Sequence, residues 1–253
     1  MTPLPVGSCV TPGSALGLCI EGHYAYVADG EGNGLAIIDM STPSSPKVVG
    51  TYKKVAANYP MARHAVVKNG YAYLAYERAG LHILDVSDPA HPRLVATYGG
   101  SSAWVDNVVV EGNYAYVTVY EQGLKILDIS TPSSPVSVGS LNIQYFYEGA
   151  MVIDGDYLYL AATEFGLHLI NISNPASPSL ERITPYNDHM WANDMVMKDN
   201  DIYIADFNGF FILTSNAPSP NARLSVTSFP RYRRSGVGYP CGSTWPDRWK
   251  DLF

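Results

Sequence analysis

The chain reads as an all-β protein, a five-bladed β-propeller of four-stranded antiparallel blades. Three observations predict it. A stretch typified by YAYVTVYEQGLKILDISTPSSP (114–135) recurs as YAYVADGEGNGLAIIDMSTPSSP (24–46), YAYLAYERAGLHILDVSDPAHP (71–92), YLYLAATEFGLHLINISNPASP (157–178) and, more worn, DIYIADFNGFFILTSNAPSP (201–220). Its period, read on Gly34, Gly80, Gly123, Gly166 and Gly209, is 46 and then three times 43 residues, the spacing of propeller or solenoid arrays. Within each unit, four short runs alternate apolar and polar or are apolar throughout, and none carries a helical stripe.

The chain opens on PVGSCVTP (5–12), which resembles the last strand of a unit, PVSVGS (135–140). A last strand with no predecessor must pair elsewhere, and the final blade is its natural partner, so the N-terminal strand is expected to close the ring. NARLSVTSF (221–229) offers the final blade a fourth strand of its own, and both could pair if that blade takes an extra strand.

The third unit shows how the elements follow one another. Its strands are expected at 107–111, 114–119, 124–129 and 136–141. Four strands joined by short hairpins make one propeller blade. Gly22, Gly70, Gly112 and Gly155 fall in the first hairpin turns, where a positive φ is cheap for glycine. Asp39, Asp85, Asp128 and Asn171 end the third strands ahead of a proline-bearing turn, whose backbone short Asx side chains can hold. A carboxylate set repeated around a ring is fold chemistry, not catalysis. The repeats run over about 15–52, 63–98, 106–141, 149–184 and 193–227, which makes residues 1–229 one propeller.

Residues 230–253 break the pattern. Five basic residues stand there against Asp247 and Asp251, so this tail nets +3 and residues 1–229 net −10. It carries Trp245 and Trp249, and reads as a segment laid over the acidic body or as a docking or capping segment.

Over 253 residues the chain is 47% hydrophobic and 15% charged, enough for a large core. A net charge of −7 argues against nucleic acid, which needs a basic stripe. No apolar run reaches the length of a membrane-spanning helix, so no membrane insertion is expected. The first twenty residues show no signal-peptide pattern. Cys9, Cys19 and Cys241 have no metal-binding spacing. Cys19 is expected in an inner strand as a core residue, while Cys9 and Cys241 could pair if the termini meet.

The units resemble the LVIVD repeat family of β-propellers. YAYVAD (24–29), GLAIIDMSTPSSP (34–46), GLHILDVSDP (80–89), GLKILDISTPSSP (123–135) and GLHLINISNP (166–175) carry the resemblance over roughly residues 15–215. The fifth unit departs, with Thr214 where the others have Asp or Asn. The resemblance implies a propeller, often of secreted or cell-surface proteins, and no single activity. Function must then be argued from the site.

The loops leading into each first strand and the hairpins between second and third strands share one face of a propeller, at the mouth of the central channel. These loops differ most between copies. Ten residues before each unit's second strand stand Ser14, Met61, Trp104, Tyr147 and Trp191; eight and seven before it stand Leu16-Gly17, Arg63-His64, Asp106-Asn107, Gly149-Ala150 and Asn193-Asp194. The hairpins add Asp29, Glu77, Arg78, Tyr120, Glu121, Glu164 and Asp206. The expectation is a funnel with aromatic walls and an acidic rim, enriched by Glu148 and His189. Rings that merely plug the channel, a structural bridge from Arg63 to Asp106, a satisfied inner-strand His64 and a solvated carboxylate rim are the bland alternatives. A different polar residue in each blade at one radius favours a ligand site.

Two functions fit. One is a binding module for a small molecule or a protein surface, with Trp104, Tyr147, Trp191, His189, Glu77, Glu121, Glu164, Asn107 and Asn193 as ligand contacts; a sugar would stack on rings and bond to carboxylates. The other is a hydrolase or lyase in the same funnel. There His64 or Glu148 is the base, Arg63 the anion stabiliser, and Asp106 or Asp194 the acid or orienting group. No nucleophile elbow, HExxH motif or phosphate loop supports the enzyme. No cofactor signature is present, and His64, His189, Asp106 and Asp194 do not have the spacing of a recognised metal site.

Overall fold

In each unit the alternation of the strands sends one row of apolar side chains toward the preceding blade and the other toward the next. The computed structural model describes residues 4–31, 33–54, 61–100, 103–143, 149–162, 166–184, 192–199, 201–206, 209–214 and 225–228. The first blade contributes β1 (Gly17–Glu21), β2 (Tyr24–Ala28), a two-residue β3 (Gly30–Glu31), β4 (Leu35–Asp39) and β5 (Lys47–Tyr52). The second has a two-residue β6 (Met61–Ala62), then β7 (His64–Lys68), β8 (Tyr71–Ala75), β9 (Leu81–Asp85) and β10 (Arg93–Tyr98). The third is β11 (Val105–Glu111), β12 (Tyr114–Val119), β13 (Gly123–Asp128) and β14 (Val136–Leu141). The fourth is β15 (Met151–Asp154), β16 (Tyr157–Ala162), β17 (Gly166–Asn171) and β18 (Ser179–Thr184). The fifth is β19 (Ala192–Lys198), β20 (Asp201–Asp206), β21 (Gly209–Thr214) and β22 (Ser225–Ser228).

Five antiparallel sheets of four strands result, each in sequence order, with β3 and β6 omitted from the first two and paired to each other. The expected strands of the third unit fall within two residues of the observed ones. The core lies between blades. Tyr26, Leu35 and Ile37 of the first blade meet Ala65, Leu74 and Tyr76 of the second. Equivalent clusters join the second to the third, the third to the fourth and the fourth to the fifth. Cys19 packs at the edge of the first of these, and burial pushes its thiol up to about 11.

The Asx residues serve the turns. Asp39, Asp85, Asp128 and Asn171 each accept a bond through Oδ1 from the backbone N–H two residues on, at 2.8–3.0 Å. Those bonds hold the three aspartates below the ordinary carboxylate value, with Asp85 near 2 because the Ser87 hydroxyl and Arg93 also donate to it.

At the N-terminus, residues 4–16 form no strand of their own, and β22 is the fourth strand of the last blade. The segment still lies against the first blade. Gly7 faces the Pro43 carbonyl and the Pro46 ring as Gly50 faces Pro89 and Pro92 one blade on, and Cys9 packs on Ala25, Val27, Ala36 and Ile38. Cys241 and residues 230–253 lie outside the described residues. No helix long and apolar enough to cross a membrane is present among those described.

Candidate functional site

The inner strands β1, β7, β11, β15 and β19 ring the axis, and their first residues enclose a cavity of about 490 Å³. Ala15 to Leu18 come from the first blade, Arg63 and His64 from the second, Asp106 and Asn107 from the third, Gly149 from the fourth, and Ala192 to Asp194 from the fifth. The positions aligned eight and seven residues before each second strand therefore do converge. The register of the strands explains how. Between Val105 and Asn107, and again between Ala192 and Asp194, the ladder shifts by a residue, leaving Asp106 and Asn193 bulged. A bulge re-aims the side chains beside it.

Arg63 is already engaged. Its Nε lies 2.7 Å from Glu77 Oε1 and 4.0 Å from Asp106 Oδ1. Glu77 lies on the hairpin between β8 and β9, and the expected bridge to Asp106 is formed beside it. Glu77 also accepts the Met61 N–H, and its own carbonyl accepts the Val105 N–H of the third blade. Its backbone takes a φ of 35° to do so. Glu77→Ala is expected to cost about 2 kcal/mol, because it strands a half-buried guanidinium. In a cycle with Arg63→Ala, urea unfolding should show a coupling of about 1 kcal/mol or more; strict additivity would show that the pair is not formed.

His64 has a defined tautomer. Its Nδ1 lies 3.1 Å from the Val108 carbonyl of β11. A carbonyl only accepts, so Nδ1 carries the proton and Nε2 keeps a lone pair. Burial pushes its pKa below the ordinary histidine value, opposed by Asp194 and by the bond to Val108. The ring is therefore neutral at pH 7. Beside it, the Asn107 side-chain oxygen Oδ1 is buried and accepts no hydrogen bond among the described residues. Asn193 and Asp194 are exposed on the fifth blade, and Asp194 Oδ1 accepts the Met195 N–H at 2.8 Å.

Other expected site residues do not line this cavity. Trp104 is not among the residues lining this cavity; it is half-buried against Tyr120, ring centres 5.3 Å apart, with the Arg78 guanidinium 4.9 Å above it. The Arg78–Trp104–Tyr120 stack joins the hairpin of one blade to the lead-in loop of the next, a pairing that no spacing in the sequence indicates. The acidic rim is largely buried: Asp29, Glu77 and Asp206 are inside, and Asp29 Oδ2 accepts the Gly13 N–H at 2.7 Å. Glu121 alone of the expected ligand carboxylates that are described is exposed, on its hairpin with φ 59°. Tyr147, Glu148, Glu164, His189 and Trp191 lie outside the described residues. No cluster of three or more His, Cys, Asp or Glu that could hold a metal occurs among the described residues.

A ring of five four-stranded blades around a polar axial cavity defines a five-bladed β-propeller. The chain belongs to the LVIVD repeat family, whose model matches residues 12–54, 61–99, 103–143, 150–184 and 191–228. Solved structures share the architecture at low identity. A protein from Lactobacillus plantarum matches at 12% identity and a TM-score of 0.68, over 85% of this chain and 70% of that one. A functionally unknown protein from Desulfotomaculum acetoxidans matches at 12% and 0.66, over 87% and 71%. The periplasmic gluconolactonase of Pseudomonas aeruginosa matches at 10% and 0.65, over 85% and 69%. At such identities the likeness is one of fold. No curated protein matches the chain.

Proposed function

We propose that the axial cavity binds a small polar molecule rich in hydrogen-bond donors, a sugar or related polyol being the best fit. The observation that carries this reading is the buried, unpartnered Asn107 Oδ1 at the cavity wall. A buried acceptor left unpaired costs free energy that a donor on a ligand recovers. The His64 Nε2 lone pair and the exposed Asp194 carboxylate add acceptors to the same cavity. Hydroxyl groups are the donors that suit all three, and a cavity of about 490 Å³ is in the range of small-molecule sites.

A thermal-shift panel of sugars, nucleotides, divalent metals and acyl esters tests it. A sugar at a hundred times its Kd should add about 2.7 kcal/mol, raising the melting temperature by roughly 5–10 °C. Asn107→Leu and Asp194→Asn should abolish most of that shift. A shift that survives both substitutions, or arises only with other classes, defeats the reading.

A second reading, hydrolysis or lyase chemistry in the same cavity, is favoured by the His64 tautomer alone. A neutral imidazole with a free Nε2 can take a proton from water or from a carbon acid. Turnover of esters or lactones that disappears in His64→Gln would support it.

A further inference from the structure

We propose that the seam between the first and fifth blades is a docking surface for residues 229–253 of the same chain. Among the described residues, four seams of the propeller are packed and the fifth is not. On the inner strand, the residue facing the preceding blade is Ala65, Val108, Met151 or Met195 in blades two to five, each at most 5% exposed; the equivalent in the first blade, Leu18, is 62% exposed. On the third strand, the residue facing the next blade is Leu35, Leu81, Leu124 or Leu167 in blades one to four, each at most 1% exposed; in the fifth blade it is Phe210, 49% exposed. Ile20 and Val196 are bare on the same two faces. The outer part of the first blade's face is covered, since Cys9 packs on Ala25, Val27, Ala36 and Ile38. What stays open is an apolar strip beside the axis, continuous with the cavity through Leu18.

The chain itself supplies an occupant of matching chemistry. From Ser228, on the last strand of the fifth blade, 25 residues follow. They include Tyr232, Tyr239, Trp245, Trp249 and Phe253, more aromatic surface than an exposed strand of polar linker would carry. Four strand spacings, roughly 15–20 Å, separate the outer strand of a blade from the axis, and a segment of this length reaches several times as far. The net +3 of residues 230–253 complements the −10 of the rest. At the turn ends of the seam's two inner strands stand the exposed carboxylates Glu21 and Asp199, with Lys198 among them. A tethered segment also has a concentration advantage over any free partner, a second copy included.

Photo-crosslinking in the full chain decides the occupant. With p-benzoylphenylalanine at position 210 or at position 18, irradiation should give monomer-mass products whose crosslinked peptides come from residues 229–253. Products of dimer mass would assign the seam to a second copy and overturn the proposal. Crosslinks confined to the first and fifth blades would overturn it equally. In parallel, trypsin should cut at Arg231 to Lys250 at least ten-fold faster in Phe210→Glu than in the unsubstituted chain, with circular dichroism reporting that the propeller persists. Equal rates in the two proteins would also count against docking.

Discussion

Gly123→Ala should lose about 3 kcal/mol of stability, and Gly80→Ala as much. Two costs add at these positions. Gly123 has φ 75° and Gly80 φ 85°, a region where a side chain costs roughly 1–2 kcal/mol. In addition, a methyl group at Gly123 would collide with the Leu141 carbonyl and the Ile143 N–H, and at Gly80 with the Tyr98 carbonyl and the Gly100 N–H. All four are backbone atoms at the end of the neighbouring outer strand, so the clash is relieved only by moving that strand, at about 1–3 kcal/mol. Gly112 is the control. Its φ is 56°, and nothing lies within 4 Å of the space a methyl would fill, so Gly112→Ala should cost only the conformational part, about 1 kcal/mol. Urea midpoints measure all three. If Gly123→Ala costs no more than Gly112→Ala, the close approach of the outer strand to the start of the third is wrong.

That glycine was legible in the sequence only as punctuation. It recurs in all five units and marks the period, yet nothing in its spacing tells that a carbonyl one strand away forbids any side chain. The blades themselves were legible because alternation and turn residues are local properties, and the third unit's strands land where local pattern puts them. The convergence of Arg63, His64, Asp106, Asn107, Asn193 and Asp194 on one cavity was also legible, because a ring places equivalent positions at one radius. The bridge from Arg63 to Asp106 of the next blade is present at 4.0 Å; what spacing did not indicate is the second partner, Glu77 of its own hairpin at 2.7 Å, since hairpin geometry decides which carboxylate arrives. The hairpin carboxylates were read as a rim because they lie in loops. Asp29 instead turns inward to hold the Gly13 N–H, a bond across 16 residues of chain. Trp104 lies beneath Arg78 and beside Tyr120, two residues of the expected channel mouth, where its apolar face meets a guanidinium.

Acid should weaken the protein through His82. This side chain is fully buried on β9. Its Nε2 lies 3.2 Å from the Ala79 carbonyl, so that nitrogen carries the proton, and the Tyr52 hydroxyl donates to Nδ1 at 3.0 Å. The ring of Tyr76 stands edge-on to it at 5.2 Å. Burial first, and the Lys54 ammonium second, push its pKa down to about 4 from an ordinary 6.5. The unfolded chain therefore binds a proton that the folded one refuses between those two values. Stability is fully present above pH 6.5 and is lost as pH falls toward 4, by about 3 kcal/mol in all. His64 is depressed too and works in the same direction. The turn aspartates Asp39, Asp85 and Asp128 are held below 3.8 and lose their contribution only in stronger acid, so the window belongs to histidine. Urea midpoints from pH 7.5 to 4.5 should fall steadily in the native chain and fall less steeply in His82→Gln, whose amide keeps a donor and an acceptor and which leaves only the His64 contribution. A flat native profile, or an unchanged slope in the variant, would defeat the assignment. Protonation keeps the Nε2–H bond to the Ala79 carbonyl and turns Nδ1 from acceptor to donor, so the bond that acid breaks is the one from the Tyr52 hydroxyl at the end of β5.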